Sequence, residues 1–142
     1  QQCGKYPEIS KLATRIYFFF NDFLFQMKTE DEILFPEIKR LSKIKKIQPT
    51  DKRFNCSEVK NIITKLQTAH LRALEGLRQI RRVTKGYTLL SGAPVSFINL
   101  YERIKKFEND LAEHVYLENN ILYPKTLALT EILSNGDKYK SA

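Results

Sequence analysis

Cysteine is scarce in this chain of 142 residues, which contains only Cys3 and Cys56. The two cysteines lie far apart, and neither belongs to a Cys-x-x-Cys pair, so a disulfide framework is not indicated. We therefore expect two free thiols and a reducing compartment.

Long apolar runs are also absent. The longest in the first predicted helix is IYFFF, far short of the roughly 20 residues that span a bilayer. No signal peptide or transit segment is evident. The composition, with 42% hydrophobic and 28% charged residues, is typical of a globular domain. We expect one domain over residues 1–134 and a flexible tail over residues 135–142. We also expect the protein to lie in the cytoplasm and to have no membrane partner.

Acidic residues are outnumbered, which leaves a net charge of +8. Such a charge could attract nucleic acid or acidic lipid. The basic clusters KRLSKIKK and RQIRRVTKG are not interleaved with exposed-looking aromatic residues, and no nucleic-acid motif is present. We interpret them as solvated faces and expect no nucleic acid partner. A basic docking surface for an acidic protein partner is the alternative.

Strand patterns are missing as well, and three long amphipathic helices take their place. They are predicted over about residues 8–34, 57–86 and 95–124. Pro36 and Pro124 are each expected to break a helix and to be followed by a short helical piece. The predicted class is therefore all-α, with an up-down helical bundle as the architecture. Three long helices are one short of four, and a partner chain, as in a homodimer, or a helix upstream of residue 1 could supply the fourth.

Each helix carries an apolar stripe that we expect to face inward, because its residues are spaced mostly by three and four. The first stripe comprises Ile9, Ala13, Ile16, Phe20, Phe23, Met27 and Leu34. The second comprises Val59, Ile62, Leu66, His70, Ala73, Leu77 and Ile80. The third comprises Phe97, Leu100, Ile104, Phe107, Leu111, His114, Glu118 and Ile121.

Two stretches of the chain echo one another at an offset of 88 positions (114 minus 26). Within residues 26–36 and 114–124, a glutamate is followed at the same spacing by Ile-Leu, an aromatic residue and a proline. Gln26 stands where His114 stands in the second stretch. We interpret the echo as a repeated helix ending in which one liganding position has been altered.

The stripes contain polar residues that predict a metal site. His114 and Glu118 are four residues apart and therefore share a helix face, and Glu30 and His70 also interrupt apolar stripes. A carboxylate in a core is unfavourable unless it is paired or binds a metal. With Gln26 at the echoed position, these residues form the predicted ligand set, and no catalytic residue is predicted.

Imidazole and carboxylate ligands suit iron, manganese or zinc. Two glutamates at equivalent heights on two helices could bridge two metal ions. The alternatives are structural. His70 could be a core histidine that is satisfied by a hydrogen bond. Glu30 and Glu118 could reach water at the edge of a stripe, and Gln26 could be a surface or boundary residue.

Three segments resemble a known family. AHLRALEGLRQIRRVTKGY and LYERIKKFENDLAEHVYLENNILYP closely resemble the hemerythrin-like domain of the repair-of-iron-centres proteins. The earlier segment FNDFLFQMKTEDEILFPEIKRL resembles the corresponding part of the same family. The resemblance covers about residues 5–130 and is most specific in HVYLENNILYP.

The resemblance implies a four-helix bundle with a di-iron centre that is held by histidines and two bridging glutamates. His70, His114, Glu30 and Glu118 match ligand positions, with the two glutamates as the bridges. The family has histidine where this chain has Gln26, and it carries further histidines on an upstream helix. The implied function is repair of iron–sulfur clusters damaged by nitrosative or oxidative stress, with damaged iron–sulfur proteins as partners in the cytoplasm.

Two other functions stay open at this point. One is a degenerate, metal-poor bundle that acts through protein contacts, and Gln26 favours it. The other is a hemerythrin-like sensor of oxygen or nitric oxide that uses the same site without repair. Whether the protein is an enzyme also stays open.

Overall fold

The computed structural model of the chain describes residues 7–44 and 56–135. Its helices are α1 (Pro7–Thr29), a first π turn (Glu30–Leu34), α2 (Phe35–Leu41), α3 (Cys56–Val83), α4 (Val95–Leu117), a second π turn (Glu118–Leu122) and α5 (Tyr123–Asn135). No strand occurs within these two ranges, so the predicted all-α class is confirmed. Cys3 and all of the predicted tail except Asn135 lie outside the described residues. None of the described helices combines the length and apolar character that a bilayer-spanning segment requires.

The prediction that Pro36 and Pro124 break their helices is wrong, because a π turn precedes each proline. In the first π turn the N–H of Phe35 donates to the carbonyl of Glu30, five residues back. Each proline comes directly after such a bond, where the wide turn gives way to an α-helix. The missing N–H of the proline therefore falls where the hydrogen-bond spacing changes, and the helix continues.

The predicted end of the second helix near Gly86 is close to the observed one, since α3 ends at Val83. Lys85, Gly86 and Tyr87 then adopt positive φ angles of 51°, 71° and 62°. The N–H of Gly86 donates to the carbonyl of Arg81 at 2.8 Å, which caps the helix with a left-handed turn.

The chain divides into two compact units, each with its own core. The first unit contains the described residues 7–24 and 70–115, and the second contains 25–44, 56–69 and 116–135. The buried core of the first unit is Leu12, Phe19, Ala73, Leu77, Ile80, Tyr101, Ile104, Leu111 and Val115. The buried core of the second unit is Leu34, Leu41, Val59, Ile63, Leu66, Tyr123 and Leu133. Helices α1, α3 and α4 each contribute residues to both units.

The predicted stripe of α3 is confirmed, apart from a half-buried Ile62. The predicted stripe of α1 is wrong in part, because Ala13 and Phe20 are exposed while their neighbours Leu12 and Phe19 are buried. Aromatic residues cover several faces of this helix, so periodicity alone does not select the buried one.

In α1, Phe19 is fixed by its ring contacts. Its ring stacks on that of Phe23 with centroids 5.8 Å apart, and it meets the ring of Phe107 edge-on at 5.9 Å. The third predicted stripe is also wrong in part, because Leu100 near its start and Ile121 at its end are exposed.

Candidate metal centre

Each π turn begins at one of the two predicted bridging glutamates. Glu30 opens the first turn and is 0% exposed, and Glu118 opens the second and is 4% exposed. The two stretches that echo one another in the sequence therefore also form the same local structure, a π turn that begins at the glutamate. A π turn holds one residue more than an α turn and is frequent at functional sites. The alternative that these glutamates reach water does not agree with their burial.

The hydroxyl of Tyr123 lies beside both carboxylates. It is 2.9 Å from Oε2 of Glu118 and 3.4 Å from Oε1 of Glu30. Tyr123 is itself fully buried in the core of the second unit. One phenolic group therefore joins the two glutamates from two separate helices.

The pKa of Tyr123 is raised well above its usual value, first because the ring is buried. The negative charges of Glu30 and then Glu118 raise this pKa further, and so do the hydrogen bonds to them. A buried phenolate beside two carboxylates would be strongly disfavoured. The Tyr123 hydroxyl therefore keeps its proton and acts as the donor towards the carboxylate oxygens.

Three of the predicted ligands come together. Glu30, His70 and Glu118 each place one possible ligand atom so that all three atoms lie within 4.8 Å of one another. All three side chains are buried. Carboxylate oxygen and imidazole nitrogen are the donors that iron, manganese and zinc accept in proteins, so the group is chemically suited to hold a cation.

The two remaining predicted ligands stand one helical turn before the glutamates. Gln26 precedes Glu30 on α1, and His114 precedes Glu118 on α4. Gln26 is 4% exposed, and its Nε2 has no hydrogen-bond partner among the residues that the structure describes. His114 is half-buried and lies outside the group of three. Gln26 is thus no surface residue, which removes one of the structural alternatives for it.

Two buried polar side chains, those of Tyr123 and Glu37, are not predicted from the sequence. Tyr123 was noted only as the aromatic partner of Phe35 in the echo, although its place in Leu-Tyr-Pro directly after the second π turn was visible. Glu37 is buried as well, and its carboxylate pairs with the guanidinium of Arg40 at 2.6 Å. That pairing three residues along α2 gives Glu37 a structural role.

Comparison with known proteins agrees with this picture. The family model for the hemerythrin HHE cation-binding domain matches residues 2–126. The matched range includes both π turns and all five predicted ligands. No solved structure matches the chain significantly.

Curated relatives are named iron-sulfur cluster repair protein YtfE. The protein of Yersinia pseudotuberculosis is 31% identical over 101 residues, which are 71% of this chain and 40% of the relative. That of Pectobacterium atrosepticum is 28% identical over 116 residues, 82% of this chain and 47% of the relative. That of an Escherichia coli strain is 32% identical over 102 residues, which are 72% of this chain and 40% of the relative. The chain therefore spans less than half the length of these relatives.

Proposed function

Because this chain belongs to the hemerythrin HHE cation-binding domain family, we propose that it holds a non-haem di-iron centre. We propose further that it acts in the repair of iron–sulfur clusters damaged by nitrosative or oxidative stress, with damaged iron–sulfur proteins as its partners in the cytoplasm. The observation that carries the proposal is the buried group of Glu30, His70 and Glu118, whose ligand atoms lie within 4.8 Å of one another.

In this proposal, the predicted ligands contribute different donor atoms to the metal centre. Glu30 and Glu118 each offer two oxygens, so each can bridge two cations, and His70 offers one imidazole nitrogen. His114 and the amide oxygen of Gln26 are the further ligands. A bound di-iron centre would supply one-electron redox chemistry and open coordination positions that these side chains do not have.

The protein supplies the surroundings of the site. Glu30, His70 and Glu118 are each at most 4% exposed, so the site excludes bulk water and strengthens the attraction between the carboxylates and a cation. Two carboxylates held near each other in a buried site repel one another, and a shared cation offsets that repulsion. This balance is the physical reason for choosing the metal-binding interpretation over a purely structural one.

Metal content tests the proposal directly. Protein purified from iron-supplied cells is expected to contain about two iron atoms per chain, measured by elemental analysis. Glu30→Gln is expected to lose most of this iron, since it removes a bridging charge. Glu32→Gln, two residues away in the same π turn but exposed, is the matched control and is expected to keep it.

The alternatives predict other outcomes. Less than about a tenth of an iron atom per chain in the parent protein would contradict the di-iron proposal and favour a metal-poor binding module. If iron is bound, reactivation of a protein with a nitrosatively damaged cluster separates the remaining two. Repair requires that the iron-loaded chain accelerates cluster recovery, whereas a sensor of oxygen or nitric oxide leaves the recovery rate unchanged.

A further inference from the structure

Tyr123 has no role in the ligand set, yet it touches both buried carboxylates. We propose that Tyr123 is a positioning residue whose hydroxyl orients the Glu118 carboxylate for cation binding. The inference rests on the proposed function, because it takes Glu118 to be a ligand. It adds a residue that acts through the carboxylate and does not itself contact the cation.

The second π turn is what brings Tyr123 and Glu118 together. In an α-helix, side chains five residues apart point about 140° away from each other. A π turn closes its hydrogen bond over five residues, and here the N–H of Tyr123 donates to the backbone carbonyl of Glu118. The side chains consequently lie on the same face, and the Tyr123 hydroxyl reaches Oε2 of Glu118 at 2.9 Å. The two residues are thus joined through both backbone and side chain.

The first π turn lacks this hydroxyl. Phe35 stands five residues after Glu30, as Tyr123 stands five residues after Glu118, and its N–H donates to the Glu30 carbonyl in the same way. The hydroxyl of Tyr123 extends to Oε1 of Glu30 at 3.4 Å. A phenol has one proton to donate, and the shorter distance assigns that proton to Glu118.

The hydroxyl restricts the orientation of the carboxylate. By donating to Oε2 of Glu118, it limits the rotation of that carboxylate. Tyr123 can hold that geometry because it is fully buried in the same core cluster as Leu34 and Ile63. Partners of this kind raise metal affinity by reducing the number of orientations that a ligand must lose on binding.

Tyr123→Phe tests the inference, with Tyr101→Phe as the matched control. Phe is expected to fold at this position because Phe35 occupies the equivalent one, and far-UV circular dichroism checks the fold. Tyr101 is another buried tyrosine, and it belongs to the core of the first unit, whereas Tyr123 belongs to that of the second. Titration with Co²⁺ alone, followed by its visible absorption bands, is expected to show binding weakened about 10–100-fold in Tyr123→Phe and unchanged in Tyr101→Phe.

A second readout needs no metal. In the metal-free proteins, the infrared carboxylate stretch of ¹³C-labelled glutamate is expected to shift in Tyr123→Phe but not in Tyr101→Phe. Equal Co²⁺ affinity in the parent and Tyr123→Phe would overturn the inference, and so would an unshifted carboxylate band. If the parent binds no Co²⁺, the proposed function itself is contradicted, and the infrared comparison alone decides whether Tyr123 orients the carboxylate.

Discussion

At the scale of single residues, Gln26 is the most informative position of the site. Its amide is buried, and Nε2 lacks a hydrogen-bond partner within the described parts of the chain. A buried polar group in this situation costs about 1–3 kcal/mol of folding free energy. A residue that is unfavourable for folding and lies one turn before Glu30 is a good candidate for a role in binding.

Replacing Gln26 with histidine is expected to increase the iron content of the protein purified from iron-supplied cells. The imidazole is a stronger donor than the neutral amide oxygen, and it restores the arrangement of His114 before Glu118. Elemental analysis measures the gain. Asn21→His, at an exposed position of the same helix, controls for iron held by any added histidine, and equal iron in the two variants would contradict the prediction.

At this scale, three residues of the candidate site follow from the sequence. Glu30, His70 and Glu118 were predicted because a polar residue interrupting an apolar stripe is unfavourable without a partner, and these three are the residues that converge. Tyr123 was missed for a complementary reason. A tyrosine on an apolar stripe is not unfavourable, since its ring packs as well as that of phenylalanine, and only the coordinates show where its hydroxyl lies.

At the scale of the elements, the all-α class followed from periodicity, but the π turns did not. The spacing of three and four fails across Glu30, and this irregularity was visible in the stripe of the first helix. A proline nearby suggested a broken helix instead, because proline removes one hydrogen bond in any α-helix. The observed chain absorbs that loss by widening the turn that precedes the proline.

Because a π turn precedes each proline, we expect replacement of the proline to change the stability of the protein very little. Pro124→Ala is expected to change the free energy of unfolding by less than about 1 kcal/mol, since the π turn already accommodates the missing N–H. Lys106→Pro places a proline at an exposed position within α4 and is expected to destabilise by about 3 kcal/mol or more. Urea denaturation followed by circular dichroism measures both. A gain of 2 kcal/mol or more in Pro124→Ala would show that the proline strains the helix.

The loop after α3 is joined to α4 by a hydrogen bond from a half-buried phenol. The hydroxyl of Tyr87 donates to Oε2 of Glu108 at 2.7 Å, and the guanidinium of Arg81 pairs with the same carboxylate. Burial, and then the Glu108 carboxylate, raise the pKa of Tyr87 well above its usual value. The folded state therefore retains a proton that the unfolded chain loses at about pH 10.

The consequence is a loss of stability in alkali. The contribution of Tyr87 is fully present below about pH 10 and disappears as the pH rises towards the pKa of the folded state. Tyr87→Phe is expected to make the fall in unfolding free energy above pH 10 less steep, as measured by urea denaturation at several pH values. Tyr17→Phe, at an exposed position of α1, is the control, and equal slopes in the two variants would refute the assignment.

At the scale of the whole molecule, the two units are not successive stretches of sequence. Helix α3 runs without interruption from Cys56 in the second unit to Val83 in the first. Melting one unit would leave part of a continuous helix without its core. The units are therefore expected to unfold in one cooperative transition, although each has a separate apolar cluster.

Two substitutions on α3 test this cooperativity. Ile63→Ala opens a cavity in the core of the second unit, and Leu77→Ala does so in the first. Each is expected to lower the unfolding free energy by about 2–5 kcal/mol and to shift the whole curve. Tyrosine fluorescence, usable because the chain has no tryptophan, should coincide with circular dichroism. A two-step curve in which one substitution moves only one step would contradict the prediction.

The π turns also affect how sequences of this kind should be aligned. One additional residue rotates everything that follows by about 100° relative to a uniform α-helix. A helical wheel drawn through Glu118 would therefore assign Tyr123 to the wrong side of the helix. A homologue with a uniform helix here needs a single-residue gap between the glutamate and the proline, and without that gap every downstream position would be compared with its neighbour.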